Sequence, residues 1–521
     1  MKKHARKLFA LAAAILLVAA SLAACSTQAP ATSAPSAATS APAATSAPAE
    51  PTPVPVVDCV YYAPGGDMVD MANVLSTVNE KMKADGAGVN LIIKHIGWDV
   101  WADRINVMLS TGEKFDMLHV MENWITTGVY AARGGLKPLN ELLDQYGPAI
   151  KQEVPDFCWD QITISGKIYT IPAYWRDTTQ FGSPVGSLMA RKDLLDKYNL
   201  PIPKTFDEFM NAMVTVKEKE PGMEDAYFWE HEPNNPALWM QRTFDSFPFY
   251  SDFNNEIVFV TEDGKVGAWV ESDQFKQECR NYRMMYEKGL VHPDVLSVPR
   301  ETRYDLCGQG KMIITNSGFD VVKYRQNFPD AEIASFMLAP DKPSYVSLPL
   351  WNSNAVPASS EHPEAAVKFI NWLYSSRENH DLFLFGQEGT HYTVINDQRV
   401  KYIKDPASDK NLYQFDFWQI GLYKWQRFGE EELDVVIEQS TTSAKDVKIS
   451  AVAGFNFDSE PVKNEFANLQ AVIPEVVYPL KFGVVDFDQN YDAALAKLKA
   501  AGLDAVIAEY NKQFQAWKAT K

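Results

Sequence analysis

Flat aromatic side chains beside planar amides or a guanidinium suit a ligand with polar edges and weakly apolar C–H faces, as a sugar has. The chain sets out such groups at Trp98, at Asn123 and Trp124, at Tyr174, Trp175 and Arg176, and at Asn316 and Phe319. Trp351 with Asn352, and Trp418 with Arg427, complete the candidates. Each aromatic has a competing role in core packing, because Trp and Phe are largely buried on average. Arg176 can also pair with its neighbour Asp177. Trp372 and Trp517 fall inside helical apolar stripes and are assigned to the core. Signals for other chemistry are weak: there is no G-x-S-x-G elbow, Walker loop or H-E-x-x-H. The eight histidines include no i,i+4 pair, and no CxxC occurs. Asp486-Phe487-Asp488-Gln489-Asn490 opens like a calcium loop, but Tyr491 stands where glycine is needed and Lys497 where the closing glutamate belongs. No catalytic residue, metal or cofactor is therefore expected. A facing carboxylate pair for a glycosidase stays available by chance among 67 acids.

The chain that must position these groups has 521 residues, with 49 Lys and Arg against 67 Asp and Glu, and a formal charge of −18. That balance argues against nucleic-acid binding, which needs a basic face to replace phosphate counterions. Apolar residues make up 46% and charged residues 22%, ordinary for a globular protein large enough for more than one domain.

The N-terminus carries an address. Lys2, Lys3, Arg6 and Lys7 precede an apolar run from Leu8 to Ala24, marginal for a bilayer span and ending in small residues as a signal peptide does. Leu22-Ala23-Ala24-Cys25 resembles the lipobox of bacterial lipoproteins, which implies cleavage before Cys25 and acylation of its thiol; an ordinary secretory peptide is the alternative. From Ser26 to Pro55 the chain is almost entirely Ala, Pro, Ser and Thr, an extended tether that cannot bury a core. Cys59, Cys158, Cys279 and Cys307 are read as buried thiols, although the compartment permits disulfides.

The body begins with a strand at Val56–Tyr62, a helix over 67–84, a strand at Val89–Ile96, a helix at Val100–Leu109 and a strand at Phe115–Val120. Such alternation predicts a parallel α/β sheet, with a ligand beyond the carboxyl ends near Tyr62, Trp98 and Met121–Trp124. A capping box at Thr205–Glu208 predicts a helix, Glu262–Lys265 a hairpin turn, and the Leu503–Trp517 stripe a helix docked on the body.

Four stretches in order resemble the family 1 extracellular solute-binding proteins of bacterial ABC importers. They are Leu109–Val120 with Trp124 and Gly134–Leu139; Gly166–Pro172 with Leu188–Leu195; Phe369–Leu373 with Gly386–Tyr392; and residues 455–517, which are similar to a C-terminal domain of unknown function on some of these lipoproteins. The resemblance implies an α/β, two-lobed periplasmic-binding-protein-like fold with interleaved lobes, hinge strands and a helical tail. Lobe 1 is expected at 56–178 and 340–392, lobe 2 at 179–339 and 393–480, and the tail at 481–521. It further implies a monomer anchored to the cell membrane through Cys25, which passes a solute, an oligosaccharide in the favoured case, to a permease. Trp98 and Asn123–Trp124 then follow first-lobe strands, Tyr174–Arg176 and Trp351–Asn352 sit by the crossings, and Asn316 and Phe319 end a second-lobe strand. Trp418 and Arg427 are expected in the second lobe. A receptor for peptides or other small solutes, and a surface glycan-processing enzyme or adhesin, stay open as alternatives.

Overall fold

The computed structural model describes residues 55–519 except 122–126, 176–186, 230–236, 251–256, 300–301, 303–304, 307, 317–323, 325–326, 347–349, 442–446, 454 and 456. The expected signal peptide, Cys25, the expected tether up to residue 54, and Cys307 thus lie outside the described residues.

Strands β1 (Val57–Pro64) and β2 (Val89–Ile96) pair in parallel over their whole length, Val57 against Val89 through Pro64 against Ile96. Cys59, Tyr61 and Ala63 point into the core at the period of two that a strand imposes. Helix α1 (Met71–Ala84) buries Met71, Val74, Val78 and Met82, the stripe that lays a helix on a sheet. Helix α2 (Trp101–Thr111) buries Trp101, Ile105 and Met108 and stops at Gly112, whose φ of 68° favours glycine. Strand β3 (Met117–Met121) joins the far side of β1.

The remaining strands of this sheet come from far along the chain. Strand β4 (Thr170–Ala173) and a strand at Asn352–Ala355 complete it, and the latter pairs antiparallel with both β3 and β4. Met121, Asn352 and Ala173 are therefore level at one edge, alongside the ends of β1 and β2. Through that edge the chain leaves after Ala173 and returns at Asn352.

The second lobe is built on β5 (Leu188–Arg191), flanked antiparallel by β6 (Ile314–Asn316) and β7 (Ile333–Phe336). Leu188, where the chain arrives, lies level with Asn316 and Phe336. With the Asn352–Ala355 strand as β8, the first sheet has the order β2-β1-β3-β8-β4. Helix α3 (Phe206–Lys219) opens on the expected capping box, Thr205 accepting from the Glu208 amide and Glu208 reaching back. Helix α4 (Asp273–Glu287) follows the expected hairpin, Val258–Val260 against Val266–Ala268.

Past β8, helices α5 (Pro363–Ser375) and α6 (Arg377–Phe385) pack on the first lobe. Residues from 393 onward depart from the expected boundary. Val400, Tyr413, Phe415, Ile420 and Leu422 are buried in the first-lobe cluster, so the stretch to Gly429 belongs there rather than to the second lobe. The helical tail also begins earlier than 481. Helices α7 (Lys463–Val476), α8 (Phe487–Ala500) and α9 (Leu503–Lys518) share one core with the 258–268 hairpin and Phe275 of α4. Cys59, Cys158 and Cys279 are buried. Among the described residues no helix is long and apolar enough to cross a membrane.

Candidate functional site

The level edge of the first sheet gathers several of the expected residues. Trp98 lies just past β2 and is 37% exposed. Its ring sits 5.6 Å from that of Trp418, tilted by 34°, and the two form an aromatic platform beyond the carboxyl ends of the strands. Trp418 arrives there on a short helix, Phe417–Ile420, that covers the sheet end.

Hydrogen bonds fix that helix in place. Gln419 Nε2 donates to the Pro64 carbonyl at 3.0 Å, and Asn354 Nδ2 donates to the Gln419 carbonyl at 3.0 Å. The Tyr61 hydroxyl in turn donates to Asn354 Oδ1 at 3.0 Å. Gly421 closes the turn so tightly that a Cβ there would come 2.7 Å from the Phe417 carbonyl. Its own carbonyl accepts from the Tyr174 amide at 3.1 Å.

Beneath the platform lies a residue that the aromatic-and-amide pattern missed. His119, on β3, is 1% exposed and meets the Trp418 ring edge-on at 5.2 Å. Its Nε2 is 3.2 Å from Asn352 Oδ1, an acceptor, which favours the tautomer that donates from Nε2. Burial pushes its pKa down to about 4, so the imidazole is neutral near pH 7. The available clue was a lone polar residue inside an apolar strand.

A second aromatic group adjoins the first through Phe417. Tyr174 stacks on Tyr423 at 5.1 Å and meets Phe417 edge-on at 5.7 Å. Tyr174 holds a φ of 47°, a strained value for a non-glycine residue, of the kind that clusters at binding sites.

Other expected site residues fall elsewhere. Trp175 is 9% exposed and packs in the first-lobe core, so its ring is a packing group. Arg427 is first-lobe, and its guanidinium pairs with Asp381 at 3.0 Å, both side chains 10% exposed, so its charge is already met. Trp351 is half-buried directly before Asn352. Asn316 stands at the arriving edge of the second-lobe sheet, its main-chain N–H donating to the Trp229 carbonyl at 3.1 Å. Asn123, Trp124, Arg176 and Phe319 lie outside the described residues. Among the described residues no His, Cys, Asp and Glu cluster could hold a metal ion.

Residues 65–379 match the model of the bacterial extracellular solute-binding protein family, more than half of the chain. The chain belongs to that family. Residues 451–519 of this solute-binding protein match a domain of unknown function, DUF3502. A carbohydrate ABC transporter substrate-binding protein of Streptococcus pneumoniae is 22% identical over 469 residues, 86% of this chain and 89% of the relative. The polygalacturonan/rhamnogalacturonan-binding protein YtcQ of Bacillus subtilis is 22% identical, over 79% of this chain and 83% of its own. Among solved structures, the N-glycan transport solute-binding protein NgtS of S. pneumoniae superposes with a TM-score of 0.72 at 20% identity, covering 89% of this chain and all of NgtS. An HMO-binding, ABC-transporter-associated solute-binding protein from Bifidobacterium longum infantis reaches 0.65 at 18% identity, over 89% of this chain and 99% of its own. These neighbours share the two-lobed fold. The family is one of transport receptors rather than enzymes.

Proposed function

We propose that this solute-binding protein is the lipid-anchored receptor of a bacterial ABC importer, capturing an oligosaccharide between its lobes and delivering it to the permease as the lobes close. The observation that carries the reading is the Trp98–Trp418 platform, level with Asn352 at the edge where the chain crosses between lobes. Aromatic faces offer a sugar's C–H groups an apolar surface, and amides beside them satisfy its hydroxyls. Contacts from both lobes would favour the closed state, a population shift driven by differential affinity. Relatives named for carbohydrate, for polygalacturonan and rhamnogalacturonan, and for N-glycan transport support the substrate class. Arg427 is spent on Asp381 and His119 is neutral, so the described part of the site suits a neutral sugar better than a uronate.

A thermal-shift panel of neutral oligosaccharides, oligouronates, amino acids and short peptides tests this. A ligand at a hundredfold excess over its Kd adds about 2.7 kcal/mol of stability. Stabilisation confined to neutral glycans is the expected result; stabilisation by peptides alone overturns the sugar, and sugar consumed during the assay overturns the receptor. Trp418→Ala should weaken binding of the responding glycan by at least about 1.5 kcal/mol, more than tenfold. Unchanged affinity in the folded variant removes the platform from the site. For the anchor, Cys25→Ala should abolish metabolic labelling by a fatty acid and release the protein from the cell.

A further inference from the structure

The connection that returns the chain from the second lobe to the first is fastened at both of its ends, by a different side chain on each lobe. On the second lobe, Arg242 is 1% exposed and gives its guanidinium to main-chain carbonyls of that connection rather than to a carboxylate. Nε donates to Leu338 at 3.4 Å, Nη1 to Pro343 at 3.2 Å and Nη2 to Lys342 at 3.4 Å. The Lys342 ammonium reaches back to the Phe244 carbonyl, and Tyr345 stacks on Phe247 at 4.1 Å with the rings almost parallel. Ser344–Val346 also pair in parallel with Val447–Ile449.

On the first lobe, Gln161 treats Leu350 as a neighbouring strand would. Its Nε2 donates to the Leu350 carbonyl at 2.6 Å, and its Oε1 accepts from the Leu350 amide at 3.0 Å. Leu350 is itself fully buried in the first-lobe core. Trp351 and Asn352 follow at once, so the same amide also sets where two candidate ligand residues stand.

We infer that Arg242 and Gln161 are positioning residues for lobe closure: each welds one end of the returning connection to its own lobe, so that rotation of the lobes is not dissipated along residues 338–346 or from Leu350 onward. A buried arginine that satisfies carbonyls of one connection, and a buried glutamine that satisfies both main-chain groups of one residue, hold backbone directly. Backbone at a joint is what a hinge must control. Lengthening the compliant part of a connection raises the entropic cost of bringing its ends to one geometry, about threefold in the closed-to-open ratio for a doubling of length.

The test needs no ligand, so its failure is separate from failure of the transport reading. Fluorophores at the exposed Asp144 on the first lobe and Glu287 on the second report the inter-lobe distance in single molecules of the full chain. Gln161→Leu, which keeps the volume and loses both bonds, should widen that distribution, and Arg242→Lys should widen it too. Val78→Ala, in the first-lobe core away from any connection, should lower the melting temperature without widening it. If Arg242→Lys does not fold, Gln161→Leu alone carries the comparison. A folded Gln161→Leu protein with the parental width overturns the inference, and so does equal widening by Val78→Ala. For any glycan that binds, the same variant should weaken affinity by one common factor of about threefold. Selective loss for one glycan would make Gln161 a contact residue instead and overturn its role at the joint.

Discussion

The platform edge of the first lobe and the C-terminal helices are held together by different means. At the platform, Tyr61, Asn354, Gln419 and Pro64 form a relay of buried hydrogen bonds between residues as much as 355 positions apart. The C-terminal region relies on apolar burial. Leu503, Val506, Tyr510 and Phe514 present one stripe of α9, and Phe455 closes over Tyr510, Phe514 and Trp517. Hydrophobic burial is non-directional and tolerates small shifts, whereas a hydrogen bond fails outside a narrow range of distance and angle. The helices therefore supply cohesion, and the relay supplies position.

If that contrast is right, the two regions respond differently to damage. The largest effect belongs to the tail. Phe514→Ala empties a fully buried ring site and should cost about 3–5 kcal/mol in a denaturant melt, while the folded fraction keeps its glycan affinity. A matching loss of affinity would tie the tail to the site and break the distinction.

Next comes acid. His119 is held at about pKa 4 in the fold, below the 6.5 it has when exposed. Between those values the unfolded chain binds more protons, so the contribution of His119 is full above about pH 6.5 and lost as pH falls through about 4. The loss is about 3 kcal/mol. Buried His380, also held down by desolvation, acts in the same direction. Urea melts from pH 7 to 4 should show the fall, and His119→Gln should flatten it; an unchanged slope places the proton elsewhere.

Smaller still, Asn354→Leu removes the centre of the relay and should cost about 2 kcal/mol through the unpaired groups it leaves. Its distinguishing effect is on binding: the helix carrying Trp418 loses its tether, so affinity falls although Asn354 lies beneath the platform. Loss of stability with full affinity would show that the relay does not set the ring.

What could be read from the chain divides along the same line. The strands and helices of the first hundred or so residues, the Thr205 capping box, the 258–268 hairpin and the stripe of α9 are local patterns with a period of two or near four, and the structure contains each of them. The same reasoning predicts Trp98 at the strand ends, and the structure places it just past β2 and exposed. Residues 393–429 were assigned to the wrong lobe because their place is decided by bonds such as Gln419 to Pro64, which leave no periodic trace. Arg427 read as a binding residue because its partner, Asp381, lies 46 positions away. Trp175 follows a strand end as Trp98 does, and only tertiary packing separates the buried ring from the exposed one.

Strand β8 sits inside the first sheet, between β3 and β4, yet is made from residues 352–355. A chain emerging N-terminus first can pair β1, β2 and β3 early, but β4 has no partner in that sheet until the whole second-lobe sheet has been made. Such distant pairing folds slowly, since long loops must close before the contacts that reward them. For a chain exported as proposed above, that delay would be useful: it would stay threadable during translocation, and the lobes would interlock only on the far side.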